Sequence, residues 1–421
     1  MNIGIKKAIK LIDEGRVEEA LKQLKKTNET ADHDSKYSIA EIYYDLGLVD
    51  LAKEVIEELL IYYPDEGELY TFMAELLIDL DEEDEAIEML LEINENDPVY
   101  VQGQLLLADL YQLQGLDEVA EMKLLNAEKK VPNEPVVQFG LGEFYISRGD
   151  YVKSIPYYKR ALPFQKNLEG TNIALRLAEA FSASGAFEEA ITYYEEGICN
   201  NPTIDDHFGF GYTVLQLGNF PTAINQFEKV IDMDESYSSV YPYLGEAYEE
   251  DGQIREALQI IKRGLEIDEF NENLYIQGAR VSLNNGYVVE GEQYLRKVLA
   301  INPSNFESAN MLANLLKKEE RFSELDDLIT YLKELGEEDP LFDWFLATAK
   351  RELDEFEEAL QIYESLSNNF SGDSDFLEEF GQILLEAGKR EKSKDVLTKA
   401  YELDQTKGYI KELLFDLSLG E

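Results

Sequence analysis

The sequence predicts an all-α fold, an α-solenoid superhelix of about twelve helix-turn-helix repeats ended by a C-terminal capping helix. Three observations predict it. A small residue recurs about every 34 positions, a second small residue precedes each of these by twelve, and a glycine lies between the two in most copies.

The recurring anchors are Ala20, Ala52, Ala86, Ala120, Ser154, Ala190, Ala223, Ala257, Gly291, Leu325, Ala359 and Ser393. Eight of their eleven spacings equal 34 and the others are 32, 36 and 33, so one structural unit is repeated along most of the chain. Twelve residues before each anchor stands Ala8, Ala40, Ala74, Ala108, Gly142, Ala178, Gly211, Gly245, Ala279, Ala313, Ala347 or Gly381. Small side chains at both places let two antiparallel helices approach closely. Five residues before the anchor, nine of twelve copies carry Gly, the residue that most readily takes the left-handed conformation closing a helix. Four residues after the anchor comes a large apolar residue, among them Leu24, Ile56, Leu90, Leu124, Tyr158, Tyr194, Phe227 and Tyr363, on the anchor's own face one turn on. Second helices end in turn chemistry such as Tyr63-Pro64-Asp65, Asp97-Pro98, Asn201-Pro202 and Asn302-Pro303, since Pro cannot continue a helix. The stretch 407–421 holds Ile410, Leu413, Leu414 and Leu417 at helical spacing and reads as the cap that an open array needs.

Composition narrows the class further. Of 421 residues 44% are hydrophobic and 11% aromatic, enough apolar material to exclude a disordered chain. The formal charge of -49 disfavours nucleic acid and anionic membrane as partners. A lone cysteine, Cys199, allows no intramolecular disulfide and points to a reducing cytoplasm. No stretch has the length and apolarity of a membrane span, and residues 1–14 read as an amphipathic helix rather than a signal peptide.

The 34-residue period, small residues at the eighth and twentieth positions, Gly at the fifteenth and Pro near the thirty-second resemble the tetratricopeptide repeat. The resemblance covers Met1 to about Thr406, and the chain looks like cytoplasmic multi-repeat proteins of low-GC Gram-positive bacteria. It departs from the pattern at Gly291, Glu320, Leu325 and Lys350, which predicts less regular packing in repeats nine to eleven. The resemblance implies that positions two, five, nine and twelve of each first helix line a concave groove in which a protein or peptide is held. It also implies a test for one known ligand class, the acidic tails of chaperones, which some family members grip with lysine at the fifth position. No fifth position here is lysine.

The ninth position carries Glu41, Glu75, Asp109, Glu143, Glu179 and Glu246, with Tyr212 among them and Arg280 after them. Tyr37, Tyr44, Phe139 and Phe208 accompany the acids on the same stripe. Acid beside exposed ring suits a basic, partly apolar segment, because carboxylates steer approach and rings supply anchoring area. A solvated helix face with its rings in the core gives the same pattern, and the sequence leaves both readings open. Trp344 falls at a fifth position, an exposed anchor in this register and a buried ring after a slip of one residue. Acidity is regional: residues 31–122 hold 26 acids against Lys36 and Lys53, whereas residues 1–26 hold seven bases against four acids. A basic first repeat docking on the acidic repeats of another molecule is therefore a second reading, self-assembly or mimicry of a polyanion in place of peptide binding.

Nothing points to catalysis. His33 and His207 lie far apart in the array, Cys199 has no His near it to activate it, and the run Asp81 to Glu85 lacks the alternating ligands of a calcium loop. No metal or cofactor is expected.

Overall fold

The computed structural model describes residues 2–168 and 170–419. Among these it contains 25 helices and one two-stranded antiparallel hairpin. The chain divides into two compact units, Met1–Leu217 and Gly218–Glu421.

The first unit holds six antiparallel helix pairs and one further helix. In order these are α1 (Ile3–Asp13) with α2 (Val17–Asn28), α3 (His33–Asp45) with α4 (Val49–Tyr62), α5 (Gly67–Asp79) with α6 (Glu83–Leu91), and α7 (Tyr100–Leu113) with α8 (Asp117–Lys130). Then come α9 (Pro135–Ser147) with α10 (Tyr151–Ala161), α11 (Ile173–Ala183) with α12 (Phe187–Gly197), and α13 (Ile204–Gln216). Between α10 and α11, β1 (Asn167–Leu168) pairs with β2 (Thr171–Asn172). This excursion accounts for the spacing of 36 between Ser154 and Ala190.

The second unit opens with α14 (Phe220–Met233), followed by α15 (Val240–Glu250) with α16 (Ile254–Ile267), α17 (Glu272–Asn284) with α18 (Val288–Ile301), and α19 (Phe306–Lys318) with α20 (Phe322–Glu334). It continues through α21 (Pro340–Glu352) with α22 (Phe356–Leu366) and α23 (Ser374–Glu386) with α24 (Arg390–Leu403). Last is α25 (Gly408–Leu419), which packs on α24 through buried Ile410.

Local chemistry places these helices. Asp32 caps α3 by accepting from the Ser35 N–H, Thr203 and Asp206 form a reciprocal capping box on α13, and Asn305 caps α19 through the Ser308 N–H. Proline stands at the start of α9 and α21, where its missing N–H leaves no bond unmade. Inside each pair, the large residue four after the anchor sits over the small residue of the first helix. A Cβ on Gly142 would lie 2.6 Å from the Tyr158 ring, and one on Gly381 2.5 Å from Leu397. Tyr158, Ile261, Leu295, Ile329, Tyr363 and Leu397 are all wholly buried at this place.

The turn inside the pair is equally regular. All nine glycines five before the anchor have positive φ, and the three other residues there, Asp81, Glu320 and Asp354, have φ of 59°, 57° and 65°. The departures from pattern in repeats nine to eleven therefore leave this turn intact. Leu325 is fully buried, and Lys350, where an apolar residue is usual, lies mostly buried with its ammonium 3.2 Å from Asp326 and 2.9 Å from Glu355. A left-handed non-glycine residue costs about 1–2 kcal/mol, offset in part by the extra chain entropy of glycine, about 0.5–1 kcal/mol. Glu320→Gly is thus expected to stabilise the second unit by about 0.5–1 kcal/mol. Urea unfolding followed through Trp344 fluorescence reads it, and an unchanged or lower midpoint contradicts it.

Candidate ligand grooves

The first helices of the acidic region form one groove of about 780 Å³. Tyr37, Glu41 and Tyr44 enter it from α3, Phe72 and Glu75 from α5, Ile9 from α1 and Gln102 from α7. Phe72 is its floor, with the rings of Tyr37 and Tyr44 each meeting it edge-on at 5.6 Å between centroids. Partial burial pushes the Glu41 carboxyl above the usual carboxylate range, and neighbouring Asp45 adds to the shift. Glu75 is pushed up for the same reason, with Asp79 adding and the Gln102 amide, which donates to it at 3.3 Å, opposing. The Tyr37 phenol is raised too, by burial first and then by Glu41, Glu68 and Glu75. No basic residue lines the groove, and among the described residues Glu41 and Glu75 are in no ion pair.

Farther along the first unit the acidic column changes character. Arg176 of α11 lies 3.2 Å from Glu143 of α9 and 2.9 Å from Glu179 on its own helix, and the Tyr158 hydroxyl donates to Glu143 at 2.7 Å. These two carboxylates already hold a cation. Burial alone would lower the Arg176 guanidinium, but Glu143 and Glu179 outweigh it and hold its pKa above the ordinary value. A cavity of about 1060 Å³ lies beside them, lined also by the hairpin residues Asn167 and Asn172, by Asp206 and by exposed Cys199.

The sequence reading placed Phe139 as an exposed ring, and that is corrected. Phe139 is 4% exposed, with its ring 6.1 Å from that of Tyr158 on the paired helix, so it belongs to the core. Asp109 is exposed on α7 outside the first groove. Phe208 and Tyr212 are half-buried on α13, Tyr212 edge-on to Phe187 at 6.3 Å. In the second unit Glu246 on α15 and Arg280 on α17 are exposed.

Trp344 falls between the exposed anchor of one register and the buried ring of the other. It is half-buried against Phe370 and Phe376, at 5.2 and 5.4 Å, and the Lys317 ammonium stands 5.3 Å over its ring. Its indole N–H donates at 2.7 Å to Glu379, which also accepts from the Tyr363 hydroxyl at 2.8 Å, Thr348 at 3.1 Å and Lys317 at 2.8 Å. Burial would raise the Glu379 carboxyl, but the Lys317 charge and these donors overcome it and hold it below the ordinary value. This cluster borders a groove of about 490 Å³ with Asn310 and Asn314.

Three residues that organise these sites were missed in the sequence, Phe72, Arg176 and Glu379, and all occupy the sixth position of their repeats. That position lies four after the second and three before the ninth, on the same helical stripe, and the spacing alone would have found it.

The comparisons with known proteins agree with this architecture. Models for YpiA-like tetratricopeptide repeats match residues 112–163 and 340–404. General tetratricopeptide-repeat models match 208–272 and 174–205, and the ARM repeat of tetratricopeptide repeat protein 21 matches 2–120. The TPR repeat-containing protein YpiA of Bacillus subtilis (strain 168) is 41% identical over 414 residues, covering 98% of each chain. A TPR repeat-containing protein of Methanocaldococcus jannaschii is 24% identical over 328 residues, spanning 71% of this chain and 56% of its own. Among solved structures, YrrB, described as a TPR protein with an unusual peptide-binding site, superposes with a TM-score of 0.39 at 19% identity, covering 44% of this chain and 96% of its own. On the repeat models and the full-length similarity to YpiA, the chain belongs to the YpiA-like tetratricopeptide-repeat family.

Proposed function

We propose that this protein is a non-enzymatic scaffold that holds a basic, partly apolar segment of a protein partner in the groove between Tyr37 and Gln102. Tetratricopeptide-repeat proteins in general mediate protein–protein interaction and are generally not enzymes. The observation that carries the finer reading is the pairing of three rings with two carboxylates, exposed Glu41 and half-buried Glu75, that no cation of the described chain neutralises. A lysine or arginine side chain inserted there gains cation–π attraction and offsets the repulsion that Glu41 meets from Asp45 and Glu75 from Asp79. Glu143 and Glu179, already held by Arg176, contribute little to such a ligand. Twelve repeats followed by a cap, working in the reducing cytoplasm, complete the proposal. No described helix is long and apolar enough to cross a membrane.

The test compares wild type with Glu41→Gln/Glu75→Gln and with Glu143→Gln, using a fluorescent peptide that alternates lysine with leucine and tyrosine. The double variant is expected to bind at least about tenfold more weakly and to lose most of its salt dependence, while Glu143→Gln stays within about twofold of wild type. Equal losses in both variants, or none, would remove the groove from the proposal. Wild-type affinity should fall as pH drops through the raised carboxyl values, because only the ionised groups attract the peptide. Stability moves the other way. Since the folded-state values are raised, ionisation costs stability above them, and the cost vanishes below the unfolded value. The double variant should therefore match or exceed wild type at neutral pH by about 0.5 kcal/mol or less, solvent screening keeping the gain small.

A further inference from the structure

The side of α5 turned away from Phe72 and Glu75 borders a depression of a different chemical kind. Met73 and Leu77 form its buried floor, and Leu60 and Ile61 of α4 and Met89 of α6 form its walls, around a volume of about 440 Å³. Ile61 is 78% exposed, so it contributes almost nothing to the core of its own unit. Close by in sequence on the same two helices, Tyr62 and Leu91 are exposed as well. Methionines lining a crevice beside solvent-facing aliphatic side chains make an adaptable apolar surface of the sort that another chain covers.

Charge decides what kind of chain. Glu57 and Glu85 stand at the rim, and the one base there, Lys53, is already paired with Glu82. Among the described residues Glu57 and Glu85 are in no ion pair, and α6 opens with Glu83 and Asp84 beside Glu85. A neutral apolar ligand would cover these carboxylates without compensating them. A second copy of this chain would bring another formal charge of -49 against the first, and the repulsion opposes it. We propose that this crevice docks an amphipathic helix of a partner protein whose apolar stripe carries Leu, Ile or Met and whose flanks carry Lys or Arg. The stripe fills the space over Met73 and Leu77, and the flanking cations meet Glu57 and Glu85. The surface is built from α4 and α6, the second helices of repeats two and three, over a floor that α5 supplies from the side opposite its groove residues, and it shares no lining residue with the groove at Glu41 and Glu75.

The test is fluorescence anisotropy with the full chain and three labelled helical peptides. One has leucines at i, i+3, i+4 and i+7 flanked by lysines, the second is its scrambled isomer, and the third replaces lysine by glutamate. The first should bind at least about tenfold tighter than either control. Ile61→Ser/Met89→Gln should weaken it about tenfold, and Glu41→Gln/Glu75→Gln should change it by less than about twofold. Glu57→Lys/Glu85→Lys should reverse the order of the lysine- and glutamate-flanked peptides, a reversal that loss of folding does not produce. Equal affinity for the scrambled peptide, indifference to Ile61→Ser/Met89→Gln, absence of binding, or a loss caused by Glu41→Gln/Glu75→Gln alone would each overturn the proposal.

Discussion

Tyr158→Ala is expected to destabilise the Met1–Leu217 unit by about 3–5 kcal/mol, the range for deleting a buried aromatic side chain from a core. The ring is wholly buried over Gly142, a position too small to fill the space left behind, so the site collapses poorly. Tyr158→Phe keeps the packing and removes only the hydrogen bond to Glu143, costing about 1–2 kcal/mol. Gly142→Ala should cost about 1–3 kcal/mol, because its Cβ would come within 2.6 Å of the ring. The informative variant is the double change Gly142→Ala/Tyr158→Leu, which recreates the arrangement of Ala108 and Leu124 one repeat earlier. It should cost clearly less than the sum of Gly142→Ala and Tyr158→Leu measured singly, with a coupling of about 1 kcal/mol or more. Urea denaturation followed by circular dichroism measures all five variants. Strict additivity would mean that the two positions do not interlock.

The second large effect lies in the other unit. Glu379→Ala removes the acceptor shared by Lys317, Trp344, Tyr363 and Thr348, leaving the indole N–H with no partner and the Tyr363 phenol with only the Thr348 hydroxyl, 3.3 Å away. Losing one side of a buried ion pair costs about 3–5 kcal/mol, and the lower end applies because the Lys317 side chain is 31% exposed and can turn to water. The folded-state pKa of Glu379 is lowered, so its stabilisation is complete above the unfolded value and is lost as pH falls through the folded one. Wild type should therefore lose stability on acidification more steeply than Glu379→Ala. Trp344 is the only tryptophan and bonds directly to this carboxylate, so its emission reports the transition. Parallel pH profiles for the two proteins would show that the carboxylate does not hold the cluster together.

The repeat was legible because it is written in residue size and backbone freedom, both local properties. Anchors, facing small residues and turn glycines fixed the helix pairing, and the large residue after each anchor proved to be what fills the gap. Asp81, Glu320 and Asp354 show that the turn imposes its conformation even where the sequence does not favour it. The hairpin at Asn167–Asn172 was hidden, since two-residue strands leave no periodic trace and only the spacing of 36 marked the excursion. Of the site, the stripe that brings Tyr37, Glu41, Tyr44 and Glu75 together could be read from helical spacing. Its electrical division could not. Whether a glutamate is neutralised depends on a base in a neighbouring repeat, as Arg176 is to Glu143, and that neighbour is set by packing between repeats. Phe139 was misplaced for a related reason, because the fifth position borders both groove and core, and the tyrosine on the paired helix draws this ring inward.

The separation between the two small residues of a repeat is twelve in every copy, while the distance from one anchor to the next takes the values 32, 33, 34 and 36. Length variation along this chain thus falls between one anchor and the next pair, either at the end of the second helix, as in α2, which stops eight residues past its anchor where α4 runs ten, or in the connection that follows. The interlocked pair behaves as an indivisible brick and the joint as mortar of adjustable thickness. Residues can be added or removed at a joint, as the excursion before α11 shows, without disturbing the register of either neighbouring brick.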